Sequence, residues 1–255
     1  MWRRSFARSW SDIFKPKGIL CLSERKASSD AKVPVRSEIR RHRKLFSLTV
    51  REEREEALRD FLPEKPVLPP GWNFKHSTGS NLFEMTKEIE IRGCGVEQLH
   101  VVALLERKQY ESTYRMDNGE RNEQEYLNFA LFLNKNRYEK GGLEFGLTSI
   151  DMELIMDSVT VHDTKEKYEA AKQCWYASKE THQLPTNLSL RRYRDRFYRG
   201  PMLNELDDDL SDEMIDYLDE RGINDAFADF MMSQAYYLEQ QEYINWLRLL
   251  RRFSD

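Results

Sequence analysis

Between residues 72 and 162 the chain repeats one pattern: a stretch of strand length, a short turn, then another stretch. The stretches read WNFKHS, NLFEMTKEIEIR, EQLHVVALLERK, YLNFALFLNK, GLEFGLTSI and MELIMDSVTV, with turn residues at Gly93-Cys94-Gly95, 136–142 and 149–151. Phe83 and Met85 alternate with Glu84 and Thr86, and Leu154 and Met156 with Ile155 and Asp157. Such alternation marks half-buried strands. The links are too short for the helical crossovers of a parallel sheet, so the strands pair antiparallel. A polar insertion at 110–124 interrupts the run. A polar segment with Trp175 and Tyr176 follows it, and LSLRRYRDRFY (188–198) reads as a last strand.

Helical spacing appears only on either side of this block. SLTVREEREEALRDFL (47–62) has an apolar side of Val50, Ala57, Leu58, Phe61 and Leu62, and Pro63, Pro66, Pro69, Pro70 and Gly71 stop it. In 205–220, Leu206, Leu210, Met214, Tyr217 and Leu218 recur at helical intervals. Gly222 is placed to end that helix and Asn224 to cap the next. The final helix carries Tyr243, Trp246, Leu247, Leu250 and Phe253 as an apolar stripe, read as core or oligomer contact with Trp246 at its buried middle. Helix, antiparallel strands, helices is the order of an α+β domain with one sheet face covered.

The charge is divided along the chain. Residues 1–46 hold 13 Lys/Arg against 4 Asp/Glu, although the chain as a whole is at −4. MWRRSFARSWSDIFKPKGIL is cationic, with Trp2, Phe6, Trp10, Ile13 and Phe14 at helical spacing, which is the composition of a mitochondrial presequence. Residues 1–45 are therefore expected to be presequence and basic arm, and 46–255 the folded domain. No apolar run reaches membrane-spanning length. By contrast, 205–220 carries Glu205, Asp207, Asp208, Asp209, Asp212, Glu213, Asp216, Asp219 and Glu220 and no basic residue. The apolar stripe inside this run separates it from a disordered acidic tail and predicts a packed helix with an anionic outer surface.

The sequence lacks the usual marks of catalysis or of a cofactor. His42, His76, His100, His162 and His182 have no ligand-pair spacing, and His100 inside EQLHVVALL reads as a strand residue. Gly141, Gly142 and Gly146 match no phosphate-binding fingerprint. Asp207 to Asp209 with Asp212 lack the internal glycine and loop of a calcium site. Cys21, Cys94 and Cys174 are scattered and odd in number, so they imply neither disulfides nor a metal pair. One segment competes for a binding role. Arg191, Arg192, Arg194, Arg196 and Arg199 alternate with Tyr193, Phe197 and Tyr198, a composition that can stack bases and neutralise phosphates. The plainer reading, an edge strand whose arginines pair with neighbouring acids, is the favoured one.

The strings YRGPMLNELDDDL, YLDERGI, FADFM and EQQEYINWLRLLRRF resemble the C-terminal region of the mitochondrial glycoprotein family of acidic matrix proteins, whose animal member is also described as complement-receptor-like and hyaluronan-binding. GWNFKHSTGSNLFEM, NFALFLNK and LEFGLTS resemble its earlier strands. The resemblance implies a twisted antiparallel sheet of about seven strands, flanked by one N-terminal and two C-terminal helices. It also implies a ring-shaped homotrimer in the mitochondrial matrix without catalytic function or cofactor. Relatives act as acidic adaptors or chaperone-like scaffolds for basic partners, in mitochondrial translation, ribosome assembly and RNA metabolism. The acidic helix is then the docking surface for basic ribosomal or RNA-binding proteins, and RNA is met through them. The alternative is direct RNA binding by 191–199, which is more basic than the family pattern.

Overall fold

A computed structural model describes residues 43–59, 62–91, 93, 95–105, 108–115, 121–135, 141–180, 198, 200–201 and 205–254. Helix α1 (Arg43–Ala57) leads into strands β1 (Asn73–His76), β2 (Leu82–Ile91), β3 (Gly95–Leu104), β4 (Lys108–Arg115), β5 (Arg121–Lys135), β6 (Gly142–Ile150) and β7 (Glu153–His162). Helices α2 (Lys165–Glu180), α3 (Asp208–Asp219) and α4 (Asp225–Ser254) follow. The seven strands make one antiparallel sheet in the order β1-β2-β3-β5-β6-β7, with β4 beside β5.

The predicted α+β class and the count of about seven strands hold, but the seven are not the expected seven. The polar insertion at 110–124 is largely strand: β4 pairs with the beginning of β5 from Lys108↔Tyr126 to Arg115↔Arg121. The far part of β5 pairs with β3 from Ala103↔Phe129 to Glu97↔Lys135. Thus β4 continues the line of β3 along the same edge of β5. Because β6 reaches back only to Tyr126, the first residues of β5 and β4 form a two-stranded ribbon beyond the main sheet. Backbone pairing alone can hold such a ribbon, and no apolar alternation marks it in the sequence. The expected strand at 188–198 lies outside the described residues except for Tyr198, which is exposed and in no regular element.

Alternation sorts the core. Phe83, Met85, Leu99, Val101, Leu131, Leu133, Phe145 and Leu147 point to one face, where Leu218 of α3 and Phe227, Met231, Ala235 and Leu238 of α4 pack on them. Val102, Ala130 and Phe132 point to the other face and lie under Tyr168 and Ala171 of α2. Helices therefore touch both faces, not one. Helix α2 occupies the segment read only as polar with a Trp-Tyr pair. Its signal is local: Tyr168, Ala171 and Trp175 fall on one side, and the Thr164 hydroxyl accepts from the Lys167 N–H at 3.3 Å as an N-cap. Gly142 lets the helix sit down on the sheet, because a Cβ there would fall 2.5 Å from both the Leu133 carbonyl oxygen and the Tyr168 ring.

Helix α1 begins earlier than expected and ends at Ala57. Three-residue-span bonds from Leu58 N–H to Glu55 O and from Arg59 N–H to Glu56 O tighten its end. Leu58 and Leu62, assigned to its apolar side, are exposed. What α1 buries instead is Thr49 and Glu56, and the Glu56 carboxylate accepts from Gln240 of α4 at 3.0 Å.

Candidate functional site

The acidic helix is present but shorter than 205–220. Asp207 has extended backbone (φ −63, ψ 138) and its side chain accepts from the Asp209 N–H, so it is the N-cap of α3. Asp208 and Asp209 then sit at the positive end of the helix dipole, where carboxylates are stabilising. Asp216, Asp219 and Glu220 sit at the opposite end, with no basic residue in the last turn. Each opposes the dipole there by about 0.3–1 kcal/mol. Glu205, Asp207, Asp208, Asp209, Asp212, Glu213, Asp216, Asp219 and Glu220 are all exposed. The apolar stripe is less buried than its spacing suggests. Leu218 is buried, Leu206, Met214 and Tyr217 partly so, and Leu210 and Ile215 lie exposed among the carboxylates.

A buried charge network holds this helix on the sheet. Arg221 donates from Nε to Glu97 Oε2 at 2.7 Å and from Nη2 to Oε1 at 3.2 Å. Lys135 reaches the same carboxylate at 3.0 Å, and the Tyr217 hydroxyl donates to it at 3.4 Å. The guanidinium lies 3.3 Å from the centroid of the Tyr217 ring and donates to the Tyr217 carbonyl at 2.7 Å. At the end of α3, Gly222 takes φ +77, and its N–H bonds to Asp219 O while that of Ile223 bonds to Leu218 O. This pair of bonds is a Schellman stop, closed by the buried side chains of Ile223 and Leu218. Asn224 then caps α4 by accepting from the Phe227 N–H at 3.2 Å, so both the predicted stop and the predicted cap are present.

Three histidines tie elements together. His76 lies 3.0 Å from Glu242 and joins β1 to α4, and the same carboxylate accepts from the Gly79 N–H. His162 lies 3.0 Å from Glu144, both buried, with Trp175 of α2 donating to Glu144. His100 lies in β3 as read, 3.0 Å from Glu84, which also accepts from the Tyr176 hydroxyl at 2.7 Å. Burial, then the Lys172 charge, pushes the His100 pKa down, while burial and the Glu84 contact push that of Tyr176 up. Both groups are thereby held neutral, and they brace α2 against the sheet. These pairs join residues up to 166 positions apart, and nothing local in the sequence announces them. Among the described residues, no cluster of three or more His, Cys, Asp or Glu is arranged to hold a metal. No helix among them is long and apolar enough to cross a membrane.

The other predicted surfaces fare differently. Arg191, Arg192, Tyr193, Arg194, Arg196 and Phe197 lie outside the described residues. On α4, Leu247 is buried and Tyr243 and Leu250 are partly so, but Trp246 is 54% exposed, which corrects its placement at the buried middle of the stripe. The reason is which side α1 takes: Glu53 pairs with Arg248 and Arg251, and Glu52 accepts from the Tyr243 hydroxyl. Leu247 is thereby covered, while Trp246, Leu249 and Phe253 are left outward. Trp246→Ala is accordingly expected to lower the stability of the dissociated chain by no more than about 1 kcal/mol. Urea unfolding at several protein concentrations checks this, and a concentration-independent loss of about 3 kcal/mol or more would return the ring to the core.

A single antiparallel sheet with helices on its faces and an exposed acidic helix pinned beside it defines an α+β domain, and comparison with known proteins gives it a family. The family model described as mitochondrial glycoprotein matches residues 35–254. The chain belongs to that family, which is one of mitochondrial acidic proteins. It is 38% identical over 79 residues to the mitochondrial acidic protein mam33 of Schizosaccharomyces pombe. That match spans 31% of this chain and 29% of the yeast protein. Among solved structures it resembles the p22 protein of Trypanosoma brucei, with a TM-score of 0.62 and 25% identity over 84% of this chain and 98% of that one. A Leishmania major protein described as a sequence homologue of human p32 has the same fold, with a TM-score of 0.61 and 23% identity over the same shares of each chain.

Proposed function

We propose that this protein is a non-enzymatic acidic scaffold of the mitochondrial matrix, docking basic proteins of the ribosome, the translation apparatus or RNA processing on α3. The observation that carries the reading is the state of the helix's carboxylates. All nine are exposed, and Arg221, which follows them in the chain, is buried and held mainly by Glu97, with a longer 3.6 Å approach to Glu220. A helix that keeps acids at the wrong end of its dipole is less stable than the same helix with lysines there, and a surface role accounts for retaining them. Such a surface steers and pairs with cationic partners, more strongly at low salt. A homotrimer is part of the proposal: the outward Trp246, Leu249 and Phe253 offer an apolar stripe that a second copy would cover. RNA would be met through protein partners.

Replacing Asp208, Asp209, Asp212 and Asp216 with Asn tests the docking surface. Their side chains are exposed, so the melting temperature should stay within a few degrees of the parent or rise slightly as like charges are removed. Capture of basic mitochondrial proteins should weaken, and its dependence on salt should become shallower. Capture of the same proteins with unchanged salt sensitivity would end the docking reading. Tight binding of protein-free RNA, lost in the Arg192→Ala and Arg194→Ala double variant, would replace it with the RNA-binding one.

A further inference from the structure

The face of the sheet opposite α3 and α4 holds a polar cleft of about 700 Å³ between α2 and the strands. Its floor includes Thr86, Gln98, His100 and Asn134, and its wall is one side of α2, with Lys165, Glu169 and Lys172. We propose that this cleft binds a small polar molecule of net charge near −1 or zero, whose oxyanion group, a carboxylate or a phosphate, pairs with Lys172.

The state of Lys172 points to such a ligand. Its ammonium rests 4.5 Å from the centroid of the Tyr168 ring and 5.8 Å from that of Phe132. Burial lowers its pKa, and the Glu169 and Glu84 charges offset only part of that. Yet no carboxylate among the described residues is in ion-pair contact with it. Glu84 is occupied: one oxygen accepts from Tyr176 and lies on His100, and the other faces Lys75 at 3.4 Å. Glu88, also on the cleft, accepts from Gln98 at 3.1 Å. A half-buried ammonium on an aromatic platform with unfilled donors is a receptor for an oxyanion. Asn134 and Thr86 add neutral hydrogen-bonding groups beside it. Glu88 and Glu169 stand against Lys165 and Lys172, while the ammonium of Lys87, the third lysine on the lining, is turned away to the Arg221 carbonyl and the Trp72 ring. This near balance disfavours a polyanion and sets the limit on ligand charge. The volume falls within the range of small-molecule sites. This reading is independent of docking at α3, which lies against the other face.

The test is an NMR titration of the isotopically labelled full chain with inorganic phosphate and, separately, with acetate, at constant ionic strength. The expected result is saturable shifts centred on Lys172, Gln98, Asn134 and His100 with one or both anions; which anion acts identifies the headgroup. Lys172→Gln should weaken the binding about tenfold. Should that variant fail to fold, Lys165→Gln, which alters the rim of the same cleft, should weaken it by a smaller factor. Shifts that do not saturate, that map away from the cleft, or that are unchanged in a folded variant would overturn the proposal.

Discussion

Arg221→Ala is expected to lower the unfolding free energy by about 3–5 kcal/mol, the cost of leaving a buried carboxylate without its cation. Glu97 is 1% exposed and Arg221 6%, so water cannot replace the lost guanidinium. Lys135 remains, but it is one of several donors on that carboxylate and the more exposed one. The loss should appear as a lower urea midpoint with little change in m value. Replacing both partners with apolar residues, Glu97→Leu with Arg221→Met, should recover much of it, because the buried charge then disappears. Acid should act on the same pair. Burial by itself raises the Glu97 pKa, but the hydrogen bonds and charges of Arg221 and Lys135 outweigh it and hold the group below its ordinary 4.5. A folded pKa below the unfolded one means that the stabilisation is complete above about 4.5 and is lost as pH falls through the lower folded value. The difference between parent and Arg221→Ala should therefore narrow on acidification below pH 4.5. A loss under about 1 kcal/mol at neutral pH would show that the pair behaves as a surface salt bridge.

Phe227→Ala should be comparably costly, about 3–5 kcal/mol. Phe227 lies in the first turn of α4 and is 2% exposed. Its ring centroid is 5.0 Å from that of Trp72, 6.2 Å from Phe129 on β5 and 6.3 Å from Phe230. One side chain thus joins the segment before β1, the central strand and the longest helix. Truncation leaves a void bounded by rings that cannot all move inward, since Phe129 is fixed in the sheet. Phe227→Leu, which keeps most of the volume, should cost less than half as much. If the two variants prove equally stable by denaturant unfolding, the aromatic cluster does not hold α4 in place.

The acidic face of α3 was legible in the sequence because its signals are local: an acid at nearly every polar position and a glycine stop. The clusters behind it were not. Glu97 in EQLHVV reads as a solvated strand residue, yet it is among the most buried side chains, because Arg221 arrives from 124 positions away. Glu84, His100 and Tyr176 likewise meet only once β2, β3 and α2 are assembled. Lys172 reads as one more charge on a polar segment, and its seat on Tyr168 and Phe132 exists only where α2 crosses β5.

By itself the sequence determined what short-range physics controls: antiparallel strands from alternation and short links, the end of α3 from its glycine, and the sign of its surface from composition. Only the tertiary structure decided which face of each element is covered. Trp246 and Leu247 are adjacent in one helix and equally apolar, and the side on which α1 lies buries the second and leaves the first outward. Periodicity reports that a helix has an apolar side wider than one neighbour can cover; which part of it meets that neighbour depends on contacts far apart in the chain.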